Sequence, residues 1–542
     1  MAIVLLNQAS TELARSFLRD ISNENDIYYF YVARTQVWKD EENVENPIDS
    51  VSYINESRKN ILMIKRIIES DAALMINRHD WTSGTVYDQY DDRYGETVTI
   101  GDITSTIIAS SGVARLADAR FYVMTSEFNV YKCLDNAGGA PSTKQPTGQT
   151  LTPIKTEDGY IWKFMFQVGE ADRIRFLTPD YIPVRKMSGV GVPFFDVNGI
   201  VDDIIVEEPG SGYVVPPSVL IHGDGQGATA HALVDGGQVT DIIIDNAGDG
   251  YTFAYVTLVR ADGDPGNGAT ARVVLGGKES STAQELVEAS AVKGTIDRID
   301  MYTPGIDYID GDVSISIVGD GQDAEAVAKV DLDGRIIGIE VTEPGSGYTF
   351  AEIVVQNGIG VGTGATARAI ISPYYGHGGN PPRELYADKL CISVNLDNET
   401  SDYFYNNDFR QIGIIKNPGI YEDDNSIYMD ITGTSLHRLT VPSEQFQYYD
   451  YDDIITSNIG GRYVVVQKNE ADNTIYLLHE IDNLQIDNVL TNITKGHTNL
   501  TINTIVEPEV NTKIGTIIYI DNRLNIVRQQ DQVEKIRTIL QF

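Results

Sequence analysis

The side chains best suited to chemistry in this chain are few and scattered. Seven histidines stand at His79, His222, His231, His377, His437, His479 and His497. None forms the His-Glu-x-x-His pattern that sets two imidazoles one helical turn apart on a zinc ion, so each reads as a structural residue. No Gly-x-Ser-x-Gly elbow exposes a serine nucleophile. A phosphate-binding loop fails as well, because Gly277-Lys278 is followed by Glu279 where a Ser or Thr would hold magnesium. Asp and Glu number 78, so a glycosidase-like pair of carboxylates carries no information. The loops Gly223-Asp-Gly-Gln-Gly227, Asp262-Gly-Asp-Pro-Gly266 and Gly319-Asp-Gly-Gln-Asp323 invite a calcium reading. An EF-hand loop begun at Asp262, however, would need an oxygen side chain where Gly266 stands and a Glu where Val273 stands. Turn chemistry accounts for these loops better. Cys133 and Cys391 are too few and too far apart for a disulfide framework or a four-ligand zinc site, and read as buried thiols. The sequence therefore assigns no catalytic, cofactor-binding or metal-binding residue, and no cofactor.

The elements that would position any site differ along the chain. Residues 1–198 mix helix and strand. In 8–20, Leu13, Ala14, Phe17 and Leu18 share a helical face behind a Ser10 or Thr11 cap, and in 50–70 the same spacing recurs with Ile54, Ile61, Ile64, Ile67 and Ile68. Both predict amphipathic helices. Ile27-Tyr-Tyr-Phe-Tyr-Val-Ala33 and the stretches 121–125 and 160–168 predict strands, with a Gly/Pro/Ser/Thr segment over 136–152.

From about 199 to 372 a motif repeats four times in one register: apolar residues at offsets 0, 3 and 5, Gly at 9 and Tyr at 12. The four copies are Val201, Ile204, Val206, Gly210, Tyr213; Val239, Ile242, Ile244, Gly248, Tyr251; Ile296, Ile299, Met301, Gly305, Tyr308; and Ile336, Ile339, Val341, Gly345, Tyr348. Each Tyr is followed by a small-residue strand: Gly227-Ala-Thr-Ala230, Gly268-Ala-Thr-Ala271, Asp323-Ala-Glu-Ala326 or Gly364-Ala-Thr-Ala367. The glycines predict turns with positive φ, and the tyrosines predict lids over a thin β layer with wet hydroxyls. One unit cannot bury a core alone, and the helix-compatible spacer at 280–291 predicts two pairs. Residues 373–542 return to aromatic, acidic, β-rich sequence. Strands are expected at 391–396, 462–467, 474–479 and 516–520, with either a strand or a short helix at 532–542. The fold class expected is mainly β with a few helices (α+β): a β-sandwich-like body in two parts, 1–198 and 373–542, interrupted by a separable all-β repeat insertion at 199–372.

Composition narrows the partners. Against the 78 acidic residues stand 41 Lys and Arg, a formal charge of −37 over 542 residues. With no concentrated basic patch, such a chain is repelled by nucleic acid. The N-terminus lacks the basic region and cleavage site of a signal peptide, and no apolar run is long enough to insert in a membrane, so synthesis in a cytoplasm is expected. The 30 tyrosines suit protein–protein contact, where Tyr offers large area at low entropic cost.

Several segments outside the repeats carry a likeness. They are Trp81-Thr-Ser-Gly-Thr-Val-Tyr87-Asp-Gln-Tyr90-Asp, Val130-Tyr-Lys-Cys-Leu134-Asp-Asn136, Ser142-Thr-Lys-Gln-Pro146-Thr147, Asp158-Gly-Tyr-Ile-Trp162-Lys-Phe-Met165, Tyr375-Gly-His-Gly-Gly379 with Glu384-Leu385, Asn407-Asp-Phe-Arg-Gln411-Ile-Gly413, and Ile518-Tyr-Ile-Asp-Asn-Arg523. In this order they resemble the baseplate wedge subunit, the gene product eight family, of T-even-type contractile-tailed bacteriophages. The resemblance covers about 1–198 and 373–542, and the repeats depart from it as an insertion. It implies a structural, non-enzymatic virion protein of the tail baseplate that forms a homodimer and joins other baseplate wedge proteins around the tail tube. A second class, a tail-associated carbohydrate-binding or glycan-degrading protein, would use the repeat loops and aromatic-acidic clusters such as Tyr448-Tyr-Asp-Tyr-Asp452.

Overall fold

The computed structural model describes residues 2–22, 26–100, 102–185, 200–223, 225–249, 251, 254–261, 263–276, 280–397, 409–421, 423–524, 526 and 533–542. The protein is mainly β with a few helices, as expected. Its compact units follow other boundaries than the three-part division read from the sequence. One comprises Met1–Ser16, Ala73–Cys391 and Ile539–Phe542, and the other Phe17–Ala72 and Ile392–Thr538. The repeats thus share a unit with 73–198, and the junction at 198/199 itself lies outside the described residues.

The N-terminal helix runs Ala2–Ser22, so Ser10 and Thr11 are interior positions and cap nothing. Ala14 and Leu18 are buried while Leu13 is 58% exposed, which makes the apolar stripe narrower than the spacing suggested. The stretch 50–70 is helical only over Val51–Lys59, where the Ser50 hydroxyl accepts from the Tyr53 N–H. It then becomes the strand Ile61–Ile67. Ile61, Leu62, Met63 and Ile64 are all buried, because this strand lies between Tyr28–Ala33 and Thr432–Thr434 in a five-stranded sheet. A strand buried on both faces loses its alternation and can imitate helical spacing. The C-terminal segment is a strand, Val533–Gln541.

The repeats form two exchanged pairs. Ile200–Ser211 of the first unit pairs with Asn267–Gly276 of the second, and Gln226–Asp235 pairs with Gln238–Asp249. Ile296–Ile306 likewise pairs with Thr363–Ile371, and Gln322–Val330 with Ile336–Ser346. Each pair has its own core, built on the residues at offsets 0, 3 and 12. The helix Ser280–Ser290 separates the pairs.

At offset 9, φ is +62° at Gly210, +67° at Gly248, +64° at Gly305 and +60° at Gly345. These glycines lie inside the first strand of their units, near its end, past the points where the register shifts. They therefore sit in the ladder and not in the turns expected, facing Gly268, Gly227, Gly364 and Asp323, which also have positive φ. At offset 11, Gly212, Asp307 and Gly347 also have positive φ, and Gly250 lies outside the described residues. The tyrosines are buried, and three of their hydroxyls bond to backbone. Those of Tyr213, Tyr251 and Tyr308 accept from the N–H groups of Ala269, Ala228 and Ala365, each in the partner unit's small-residue strand. Each ring also lies where a loop residue must lack a side chain: a Cβ on Gly266, Gly225, Gly362 or Gly321 would fall 2.2–2.4 Å from a Tyr ring carbon.

At Gly345 an added Cβ would lie 2.5 Å from the Gln322 carbonyl oxygen and 2.6 Å from the Ala324 nitrogen. Gly345→Val is expected to cost about 3 kcal/mol, the upper end for backbone strain, because rigid backbone opposes the side chain at a positive φ. A denaturant midpoint equal to that of the parent protein would contradict this assignment.

Candidate functional site

In the first unit, segments far apart in sequence meet on a four-stranded sheet built on Asn129–Asp135 and Ile161–Gln167. Trp162 is fully buried, stacked on Tyr160 at 5.4 Å and edge-on to Tyr87 at 5.8 Å. The Tyr160 hydroxyl accepts from the Tyr87 N–H and donates to the Ala140 carbonyl. Trp81 Nε1 donates to the Ser142 hydroxyl at 3.2 Å, and that hydroxyl donates to Asp158 at 3.1 Å. Asp158 also accepts from the N–H groups of Thr143 (2.7 Å) and Lys144 (2.9 Å) and from the Thr156 hydroxyl.

Burial alone would raise the Asp158 pKa, but these hydrogen bonds outweigh it and hold the carboxyl at about 2, against 3.8 for a free Asp. The sign follows from proton linkage. The stability this group contributes is complete above pH 3.8 and drains away as pH falls toward 2, because the unfolded chain takes up the proton first. Asp158→Asn should therefore be less stable than the parent at pH 6, and the gap should narrow between pH 4 and pH 2. A gap that stays constant over that range, followed by urea midpoints, would refute it.

The same unit buries several charges. Lys132 and Glu384 pair at 3.1 Å with both side chains almost fully buried, and Glu384 also accepts from the N–H groups of Gly378 and Asn380. Asp91, buried, receives both guanidinium nitrogens of Arg368, one of them at 2.8 Å. Arg298 lies 3.6 Å from Asp91 and donates to the carbonyls of Tyr90 (2.6 Å) and Leu134 (2.8 Å). Burial disfavours the Arg368 charge, yet Asp91 more than offsets this and holds its pKa above the ordinary value. His377 faces Asp297, with Nε2 2.5 Å from Oδ2, and lies edge-on to the Tyr90 ring. Val287 of the helix Ser280–Ser290 packs into the cluster around Trp162, where a Cβ on Gly378 would strike it at 2.4 Å. Charges and apolar contacts thus tie the second repeat pair to the sheet that carries Trp162.

In the second unit, two more of the quoted segments meet. Gln411 accepts from the Ser57 hydroxyl at 2.6 Å and donates to Asn522 at 2.8 Å, and the Arg523 N–H donates to the Arg410 carbonyl at 2.7 Å. Asn407 and Asp408 of that motif lie outside the described residues. Three members of the aromatic-acidic cluster at 448–452 contact this chain's own residues, while Tyr451 stays 39% exposed. Tyr449 is fully buried in the core, Asp450 pairs with Lys468 and Lys495, and Tyr448 stacks on His497 at 4.2 Å.

Of the seven histidines, His79 lies beside Tyr122, His222 stacks on Tyr255, and His231 faces Asp245. Only His437 and His479 come together, with ring centroids 5.8 Å apart. They stand on neighbouring strands, His437–Thr440 and Thr474–Ile481, in a seven-stranded sheet where His437 opposes Leu477. Asp482 follows the second strand, its Oδ1 2.9 Å from His437 Nε2, and Glu507 Oε2 is 2.9 Å from His437 Nδ1. His437 is fully buried, and neither contact has hydrogen-bond geometry. The hydroxyls of Tyr421 and Tyr463 donate to Asp482. Burial would raise the Asp482 pKa, but the His437 and Tyr421 contacts prevail and keep it well below the usual carboxylate range. Burial pushes His479 down to about 4, so its imidazole is neutral at pH 7. Sequence reading missed this cluster, because its signal lies in the strand register.

The Asp/Gly loops turn out to bind backbone. Asp264 accepts from the N–H groups of Val214, Val215 and Gly266, and Asp320 from those of Thr349 and Phe350. Asp224 and Asp262 lie outside the described residues, as does the segment 277–279. Cys133 and Cys391 are buried free thiols. Among the described residues no helix is long and apolar enough to cross a membrane. Compared with known proteins, the chain matches no family model and no curated protein.

Proposed function

We propose that this chain is a structural virion protein, a baseplate wedge subunit of a contractile phage tail that joins other wedge proteins around the tail tube and associates as a homodimer. One observation carries the reading. The segments that resemble the wedge family are dispersed between Trp81 and Arg523, yet within each compact unit they bond to one another. Trp81, Tyr87, Ser142, Asp158 and Trp162 form one connected group, and Arg410, Gln411, Asn522 and Arg523 form another. Residues that hold one another in place keep their types and spacing for architecture, which suits a scaffold. The polar groups that a catalytic reading would recruit are turned inward: Asp158 on backbone N–H groups, Glu384 on Lys132, Asp91 on Arg368.

Light scattering on the purified chain tests the association. At micromolar concentration the expected mass is twice the 59.7 kDa of one chain. A mass of one chain over that range would remove the dimer from the proposal.

A further inference from the structure

We propose that His437, His479 and Asp482 bind a zinc-class divalent transition-metal ion, a second property of the chain independent of its assembly role. One donor atom from each residue lies within 4.8 Å of the other two. A zinc ion bound tetrahedrally at about 2.0–2.2 Å to nitrogen and oxygen places neighbouring donors about 3.3–3.6 Å apart, so a modest rotation of one side chain closes the set. The His437 Nε2 to Asp482 Oδ1 separation, 2.9 Å, needs only a small widening to reach that spacing.

An independent observation points to a missing partner. His479 Nδ1 is buried with no hydrogen-bond partner, and the two carboxylate contacts of the fully buried His437, both 2.9 Å, lack hydrogen-bond geometry. A buried polar nitrogen left unpaired costs free energy, and an ion held by this cluster would offset that cost. The surroundings are those of a ligating set. Glu507 stands 2.9 Å from His437 Nδ1, where a carboxylate can take the outer N–H of a metal-bound imidazole. Tyr421 and Tyr463 hold the Asp482 carboxylate, and Tyr463 is fixed in turn by the Asn483 N–H at 2.7 Å. Two imidazoles and one carboxylate select zinc-like ions over calcium or magnesium, which take mainly oxygen ligands. Asp482 is 18% exposed, which gives the ion a way in and leaves a coordination position for water. The ion would tie the strand His437–Thr440 to the end of Thr474–Ile481.

The full-length chain, stripped with EDTA and dialysed, is titrated with zinc by calorimetry and with cobalt by absorption. One equivalent of zinc should bind, cobalt should give the visible bands of a nitrogen/oxygen site, and the melting temperature should rise with zinc. His479→Gln and Asp482→Asn should each weaken zinc binding at least tenfold while melting like the EDTA-treated parent, which separates lost ligation from lost folding. His497→Gln, at a histidine stacked on Tyr448, should bind as the parent does. Failure of the parent to bind zinc would overturn the proposal. So would zinc binding unchanged in both ligand variants, which would put the ion on other acidic groups.

Discussion

Asp91→Ala is expected to destabilise the protein by about 3–5 kcal/mol, because it strips the buried Arg368 guanidinium of its buried carboxylate and leaves only the more exposed Asp300, 3.3 Å away. The contrast with a surface pair makes this specific. Arg93 and Glu96 are only 2.6 Å apart, but Arg93 is only half-buried and Glu96 is exposed, and Glu96→Ala should cost less than about 1 kcal/mol. The large loss comes from desolvation: Asp91 and Arg368 are both nearly excluded from water, and Arg298 is held close beside them. Chemical denaturation of the two variants measures the difference directly. Equal midpoints would mean that the Asp91 site is wetter than its geometry indicates. The same contacts bear on the expectation that 199–372 can be excised. Joining Phe194 to Pro373 would remove Arg368, Arg298 and Val287 together, and strand Asp91 and the Trp162 cluster without them.

Trp162→Ala should cost a similar amount, about 3–5 kcal/mol, as a large buried ring is replaced by a cavity. The ring is fully buried between Tyr160, Tyr87 and Val287, and its strand partner across the sheet is Cys133. Its Nε1 is buried without a hydrogen bond, so Trp162→Phe removes an unsatisfied donor along with part of the ring. That variant should lose only about 1 kcal/mol, since the unpaired N–H it discards offsets some of the lost packing. Thermal unfolding followed by circular dichroism distinguishes the two. A phenylalanine variant as unstable as the alanine one would show that the indole nitrogen has a partner in solution.

Much of the repeat region was legible because its information is local. Offsets 0, 3, 5, 9 and 12 specify inward residues, a positive-φ glycine and a ring, and all four copies behave alike. The spacer at 280–291 gave the pairing, and it is helical over Ser280–Ser290. The exchange of strands between partner units was not legible, because Gly-Ala-Thr-Ala can return to its own unit or to its neighbour with equal local fitness. The helix expected over 50–70 failed after Asn60, where burial on both faces of Ile61–Ile67 erased the two-residue alternation. The charged ties were also hidden. Asp91 and Arg368 are separated by 277 positions, and in a chain with 78 carboxylates no spacing marks the one that is buried. His437 and His479 looked like isolated histidines until the pairing of His437 with Leu477 placed them on the same face.

The proposed wedge role would give this chain a fixed place in a contractile tail. Its most direct test is a cryo-EM map of purified tails from the source of this sequence, with the two compact units docked separately into the baseplate density. The claim predicts paired copies repeated around the tail tube, with the sheets carrying Trp162 and Gln411 resolved and in contact with other wedge proteins. Absence of the chain from the baseplate, or its appearance only as single copies at fibre tips facing the host, would contradict it.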